Sequence, residues 1–491
     1  MIKNILYVKT FMLFFVLMLT ACGSHPDVPS NCTSSNATPV IFPDYVGVTI
    51  PSNIAPLSFM LKDSAYTDCV ARLTAADGKS LTYGDGLKVM IDEDEWNGML
   101  QASAGKAINV EVFGKKKDGG WTAFKSFNIN VAKEEIDPYI SYRLIEPSYI
   151  MYDEMSISQR QLTSYDESDI FNNKITWDQK KGQCINCHSY QNYHTDNMLF
   201  HVRSTHGATV IVTDGKPKAV DLKRENTISA GVYPAWHPTE KLVAFSTNKT
   251  AQMFHTTNKN KVEVFDAASD LILYDVINDK VLPVCSDTTR LEVFPTWTPD
   301  GKWLYYCCAA DSLKDSSISK AYDKLHYSIY RKSFDAKTLS FGEEELVYDA
   351  AQKGRSSSLP RISPDGRHMV FAEGGYGCFN IWHNDADIVM MDLKTGSIVD
   401  TKAMNSQRAE SYPSFSSNGK WVMCASRCDD GNYSRVYIAY FDGKRVHKPF
   451  MLPQPDPEHN IMRLKSYNRP EFMVEPVKVG IKEFGKLVIK Q

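Results

Sequence analysis

Phe294-Pro295-Thr296-Trp297-Thr298-Pro299-Asp300-Gly301-Lys302 reads as a short apolar strand running into a tight turn. Pro and Asp set up the turn, and Gly301 supplies the positive φ that other residues resist. An apolar stretch, Trp303-Leu304-Tyr305-Tyr306, follows at once. The same phrase recurs as Tyr233-Pro234-Ala235-Trp236-His237-Pro238, Leu359-Pro360-Arg361-Ile362-Ser363-Pro364-Asp365-Gly366-Arg367 and Tyr412-Pro413-Ser414-Phe415-Ser416-Ser417-Asn418-Gly419-Lys420. Each copy is followed by an apolar strand and then by a second one, such as Asp387-Ile388-Val389-Met390-Met391-Asp392. The interval, roughly 50–65 residues, is that of propeller blades with insertions. Units of this kind bury their faces only against one another, so they close into a ring.

These units resemble the WD-like repeats of TolB-type β-propellers, written Pro-x-Trp-Ser-Pro-Asp-Gly-Lys. The resemblance covers about residues 198–472. The first copy departs from it at His237-Pro238-Thr239-Glu240, which lacks the turn glycine, and the last has Ser416-Ser417-Asn418. At the ends, Met198-Leu199-Phe200-His201-Val202-Arg203 lacks a leading strand, and Tyr467-Asn468-Arg469-Pro470-Glu471-Phe472 leads nothing. Pairing these two would complete a fifth blade, and the Tyr139 region could supply a sixth. Direct counting gives five blades; the TolB resemblance implies six.

The expected fold class is all-β, with an N-terminal β-sandwich-like domain at residues 40–136 before a five- or six-bladed propeller at 198–475 and a tail at 476–491. Short alternating stretches at 46–50, 87–91, 108–113 and 127–131 carry the sandwich reading. Asp92-Glu93-Asp94-Glu95 reads as a solvated acidic loop rather than a cation site. Residues 137–197 read as a connector, with weak helical spacing over 156–171.

The connector carries Cys184-Ile185-Asn186-Cys187-His188, the Cys-x-x-Cys-His attachment pattern of a c-type haem. Two thiols add to two vinyl groups of one porphyrin, so they must lie a few residues apart, and the adjoining His can bind the iron. A zinc site is the alternative, but no second Cys-x-x-Cys exists to complete it. A redox or disulfide pair is another, though no βαβ pattern surrounds it. The candidates for a sixth iron ligand are His201, Met198, His194 and His206, with His201 preferred. If Met198–Arg203 is a strand, Met198 and His201 point to opposite faces. No nucleophile–base order, phosphate loop or paired-carboxylate pattern occurs, so a hydrolase has no positive support.

The N-terminus reads as an export signal. Lys3 and Lys9 precede a short apolar run that ends in Leu19-Thr20-Ala21-Cys22. This resembles the lipobox of bacterial lipoproteins, which implies cleavage after residue 21, lipid on Cys22 and a flexible tether over 22–39. The expected place is therefore the bacterial cell envelope, with an outer-membrane anchor facing periplasm or surface, outside the cytoplasm and in the compartment where haem c is attached. The whole arrangement looks like bacterial lipoproteins that join a TolB-like propeller to a Cys-x-x-Cys-His segment. A net charge of −3 without a long basic run argues against a nucleic-acid partner. Three functions follow, in order: electron transfer through haem c, with a redox or envelope protein docked on the propeller; an envelope binding or assembly module whose haem is structural or absent; and a haem peroxidase.

Overall fold

The computed structural model describes residues 25–146, 154–177, 182–309 and 321–490. The expected signal segment and the expected lipid site at Cys22 lie outside the described residues. Among the described residues no helix is long and apolar enough to cross a membrane.

Residues 139–473 form a propeller of six four-stranded blades. Blade 1 joins both ends of the domain: its inner strand is Ser466–Met473, followed outward by Tyr139–Ile145, Ser156–Gln161 and Glu167–Asn172. Blade 2 runs Gln183–Gln191, His194–Ser204, Ala208–Thr213 and Lys216–Val220. Blades 3, 4, 5 and 6 begin with the inner strands Val232–Trp236, Leu291–Trp297, Ser356–Ile362 and Glu410–Phe415. The six inner strands touch in cyclic order, blade 1 against blade 2 included, and this closes the ring.

Three expectations change. The strand of Tyr467 does not pair with that of Met198. It pairs antiparallel with Tyr139–Ile145, with Tyr139 opposite Met473. The leading strand that Met198 needs is the Cys-x-x-Cys-His segment itself, with Asn186 opposite His201. Residues 137–197 are therefore not a connector but most of one blade and the inner edge of the next. The weak helical spacing over 156–171 is overridden by pairing, because the segment forms two strands of blade 1. Ser156–Gln161 is paired on both edges and Glu167–Asn172 on one, a ladder that outweighs a marginal lone helix.

The repeated phrase has one physical cause. In every blade the inner strand carries a bulge. At each bulge one residue adopts a left-handed backbone: Cys187, Tyr233, Phe294, Leu359, Tyr412 and Arg469, all with φ between 50° and 56°. In five of the six blades the next residue is proline, which has no N–H to lose where the ladder breaks. In blade 2 that position is His188. The positive φ at Cys187 is thus a property of the propeller, not a strain special to the motif.

The N-terminal domain is built of a seven-stranded and a three-stranded sheet. It also contains a helix, Glu93–Ser103, that the sequence reading missed. The acidic run begins this helix: Asp92 accepts from the Asp94 and Glu95 N–H groups at 2.9 and 3.0 Å. Three further acids in the first turn suit the positive end of the helix dipole. Trp96, Met99 and Leu100 drive its other face into a core shared with Trp421, Ile438 and Phe450 of blade 6. Lys88 pairs with Asp456 and Glu458, each at 2.8 Å, across the same boundary. The C-terminal segment is not a free tail. Its helix, Ile481–Ile489, inserts Phe484 against Phe200 of blade 2, with ring centroids 5.1 Å apart.

Candidate functional site

The bulges bring the motif to the channel. Cys184, Cys187 and His188 line one cavity of about 800 Å³ at the channel mouth, together with His201. Tyr233 and Tyr412 reach it from the corresponding bulges of blades 3 and 6, and Arg469 from that of blade 1. One wall is an extension of blade 3. Its middle strands, Leu242–Phe254 and Val262–Asp275, run far past the blade and pair out to Phe254 opposite Val262. Thr250, Gln252, Val262 and Val264 of this hairpin face the cavity. Its other face is fastened to blade 5 through Glu263, which accepts from Tyr376 Oη at 2.7 Å and lies 2.8 Å from His383 Nε2.

His188 is fully buried. Neither ring nitrogen makes a hydrogen bond of good geometry among the described residues; the main chain of Arg469 lies close enough to act weakly on the ring, in the direction that raises its pKa. Burial pushes its pKa down to about 4, and Arg469 and Arg143 push the same way against Glu471. The imidazole is therefore neutral at physiological pH, with a lone pair free. Glu471 is held between Arg469 at 2.9 Å and Arg361 at 3.2 Å. Burial opposes its ionisation, but the two guanidinium groups keep its pKa below the ordinary value. Cys184 and Cys187 are half-buried, and the Asn186 amide donates to Cys184 Sγ at 3.1 Å.

Of the four candidate sixth ligands, His201 alone lines the cavity. Met198 is buried in the core between blades 1 and 2. His194 is exposed and lies 3.5 Å from Glu475. His206 sits in a turn between Ser204 and Gly207, which line the cavity, but is not itself part of the lining. His201 Nδ1 lies 2.8 Å from the Thr209 hydroxyl, and its Nε2 has no partner among the described residues. Burial holds His201 well below the ordinary histidine pKa. Its place nevertheless differs from that of an axial ligand opposite His188. It is the cross-strand partner of Asn186, two residues from His188 in one sheet. Neighbouring strands lie only about 5 Å apart, so His201 would reach a group held by His188 from the same wall of the cavity.

The donor set bears on which group the cavity suits. Among the described residues no three His, Cys, Asp or Glu side chains converge on a point that could hold a metal ion. Zinc bound directly by the motif therefore has no built ligand set. A c-type haem asks for something else: two thiols spaced to meet two vinyl groups, and one imidazole for the iron. Two accessible thiols, a buried imidazole with free nitrogens and a cavity in the 300–1,000 Å³ range of cofactor sites fit that requirement.

The sequence reading did not find the hairpin wall, Tyr233, Tyr412 or Arg427. The two tyrosines were legible in principle, as the residues before the repeated proline. The hairpin carried no signal, since its polar stretch lacks both a sharp turn phrase and clean alternation.

No protein-family model matches the chain, and no curated protein matches it. Solved structures similar to it include the nidogen/laminin complex, at 7% identity and TM-score 0.39, covering 69% of this chain and 100% of that one. The tricorn protease is similar at 11% identity and TM-score 0.36, covering 82% of this chain and 43% of that one. A prolyl endopeptidase is similar at 11% identity and TM-score 0.36, covering 64% and 41%. The chain thus spans less than half the length of either protease. The propeller stands on the strand pairing itself.

Proposed function

We propose that this chain is a c-type haem protein of the bacterial cell envelope, anchored by lipid at Cys22, that transfers electrons from a channel-mouth site to a redox partner docked on its TolB-like propeller. One observation carries the reading. Where the five other blades place proline, blade 2 places a fully buried imidazole with both nitrogens unpartnered, beside two thiols on one cavity wall. An unpaired polar group costs about 1–3 kcal/mol in a protein interior, so a purely structural role would favour proline.

Bound there, the haem would supply one-electron chemistry at its iron. Cys184 and Cys187 would hold it by thioether bonds, and His188 would ligate the iron. Burial already keeps His188 in the neutral form that a metal requires. The hairpin of blade 3 and the Tyr233 and Tyr412 rings limit the access of water.

A second reading has its own support. Among the described residues lining the cavity from blades 3, 5 and 6 there is no His or Met. A haem held there by His188 without a second protein ligand would suit a peroxidase or a binder of small molecules.

The test is expression with a haem c maturation system, followed by a denaturing gel stained for haem. A band at the mass of the protein, abolished by replacing both Cys184 and Cys187 with Ala, is expected. A wild-type protein without the band overturns the haem reading and leaves the propeller as an envelope binding module. Low-spin iron then supports electron transfer, and high-spin iron with peroxide-dependent dye oxidation supports the second reading. Mass spectrometry of the mature N-terminus tests the anchor; an unlipidated Cys22 refutes it.

A further inference from the structure

We propose that Arg427 is the residue that binds a propionate of the haem, on the side of the channel away from the attachment cysteines; this rests on the haem reading above. The chemistry of the porphyrin sets the direction. Its two vinyl groups and its two propionates occupy opposite edges of the ring. With the vinyl edge bonded to Cys184 and Cys187 in blade 2, the propionate edge points across the channel. In a ring of six blades the one facing blade 2 is blade 5, flanked by blades 4 and 6.

Arg427 stands at that place. It follows the second strand of blade 6, Trp421–Ser426, and its guanidinium stacks on Trp382 of blade 5, 3.4 Å from the ring centroid. Its Nε donates to the Ile381 carbonyl at 3.0 Å, and Nη1 donates to the Asn432 carbonyl. Arg427, Trp382 and Ile381 all line the cavity. The residue is only 3% exposed, yet no carboxylate among the described residues lies within ion-pair distance. Asp430, whose field it feels, is turned instead to the N–H groups of Asn432 and Tyr433. Burial lowers its pKa to about 9, with Tyr412 and Asp430 acting in the opposite direction.

The other charged groups facing the cavity are Arg143, Glu146, Arg203, Asp221, Lys223 and Arg469. All six come from blades 1 and 2 or from the segment leaving blade 2. Arg427 is thus the one charge contributed by the far side among the described residues. A planar guanidinium with free donors, fixed by stacking, matches a carboxylate in both charge and geometry.

The experiment uses the full chain matured with haem, and follows the midpoint potential of the iron against pH. A cation a few Å from a carboxylate lowers its pKa by about 1–3 units. In the wild type, the propionate inflection is expected below the ordinary carboxylate range. Arg427→Gln should move it upward by about 1–3 pH units, and Arg427→Lys should recover part of that shift. Resonance Raman of the wild type, which needs no variant to fold, should show a propionate mode displaced by hydrogen bonding. A haem-loaded Arg427→Gln protein with an unmoved inflection, or a wild-type inflection at the ordinary value, overturns this assignment and leaves the haem reading intact. Absence of the covalent haem band overturns both, and is read on the gel before any potential is measured.

Discussion

His188→Pro separates the two demands on blade 2. Its neighbours around the ring show that proline satisfies the bulge, since Pro234, Pro295, Pro360, Pro413 and Pro470 all follow a left-handed residue. Removing a buried imidazole with two unpartnered nitrogens relieves about 1–3 kcal/mol. Fixing φ in the unfolded chain adds about 0.4–1 kcal/mol. Against this stands the packing of the imidazole beside Tyr190, with centroids 6.1 Å apart, a loss of about 1 kcal/mol because the ring already borders a cavity. The haem-free variant should therefore be more stable than the haem-free wild type by about 1–2 kcal/mol. The assay is urea unfolding of both proteins made without haem maturation, read as a higher midpoint at unchanged slope. The same variant, made with maturation, should lose the wild-type visible spectrum. A midpoint lower than wild type would refute the claim that His188 is held at a structural cost. An unaltered haem spectrum would refute its role as ligand.

Histidine burial also sets a pH dependence for the haem-free protein. His188 has a folded pKa of about 4 against 6.5 for the free side chain. The stability this provides is complete above about pH 6.5, and about 3 kcal/mol is lost as pH falls toward 4, because only the unfolded state takes up the proton readily. His201 acts in the same direction. Urea midpoints at pH 7 and pH 5 should differ by less in His188→Pro than in wild type, and an equal difference in both would count against this. Replacing His201 with Ala should leave the spin state of the iron unchanged, since His201 shares a sheet with His188; a low-spin to high-spin change would restore it as an axial ligand. Truncation before Tyr467 should expose the edge of Tyr139–Ile145 and yield an aggregating protein, whereas melting like the full chain would refute the closure.

The repeat was legible because turn chemistry is local. Pro-Asp-Gly with its flanking apolar runs needs no partner to be recognised, and four blades could be read from it. The Cys-x-x-Cys-His pattern was equally legible, as was the strand at 127–131, which the structure places at Phe127–Val131. The start of the helix Glu93–Ser103 was visible too, in Asp92 and the acids after it, but the acidity was read as solvation. What sequence could not decide was pairing across long separations. Tyr139–Ile145 and Ser466–Met473 are brought together only by closure of the ring, because each has unpaired backbone groups that the other satisfies.

The same limit applied to the site. The sequence by itself determined which residues have the chemistry to attach a haem. That the motif is an inner strand, with His188 in a proline's place, depends on aligning it with five other bulges, and neither its residues nor its spacing look like theirs. That Arg427 faces this motif depends on the order of blades around the axis. Such contacts follow from how the sheets bury their faces on one another, a tertiary constraint that leaves no local mark on the chain.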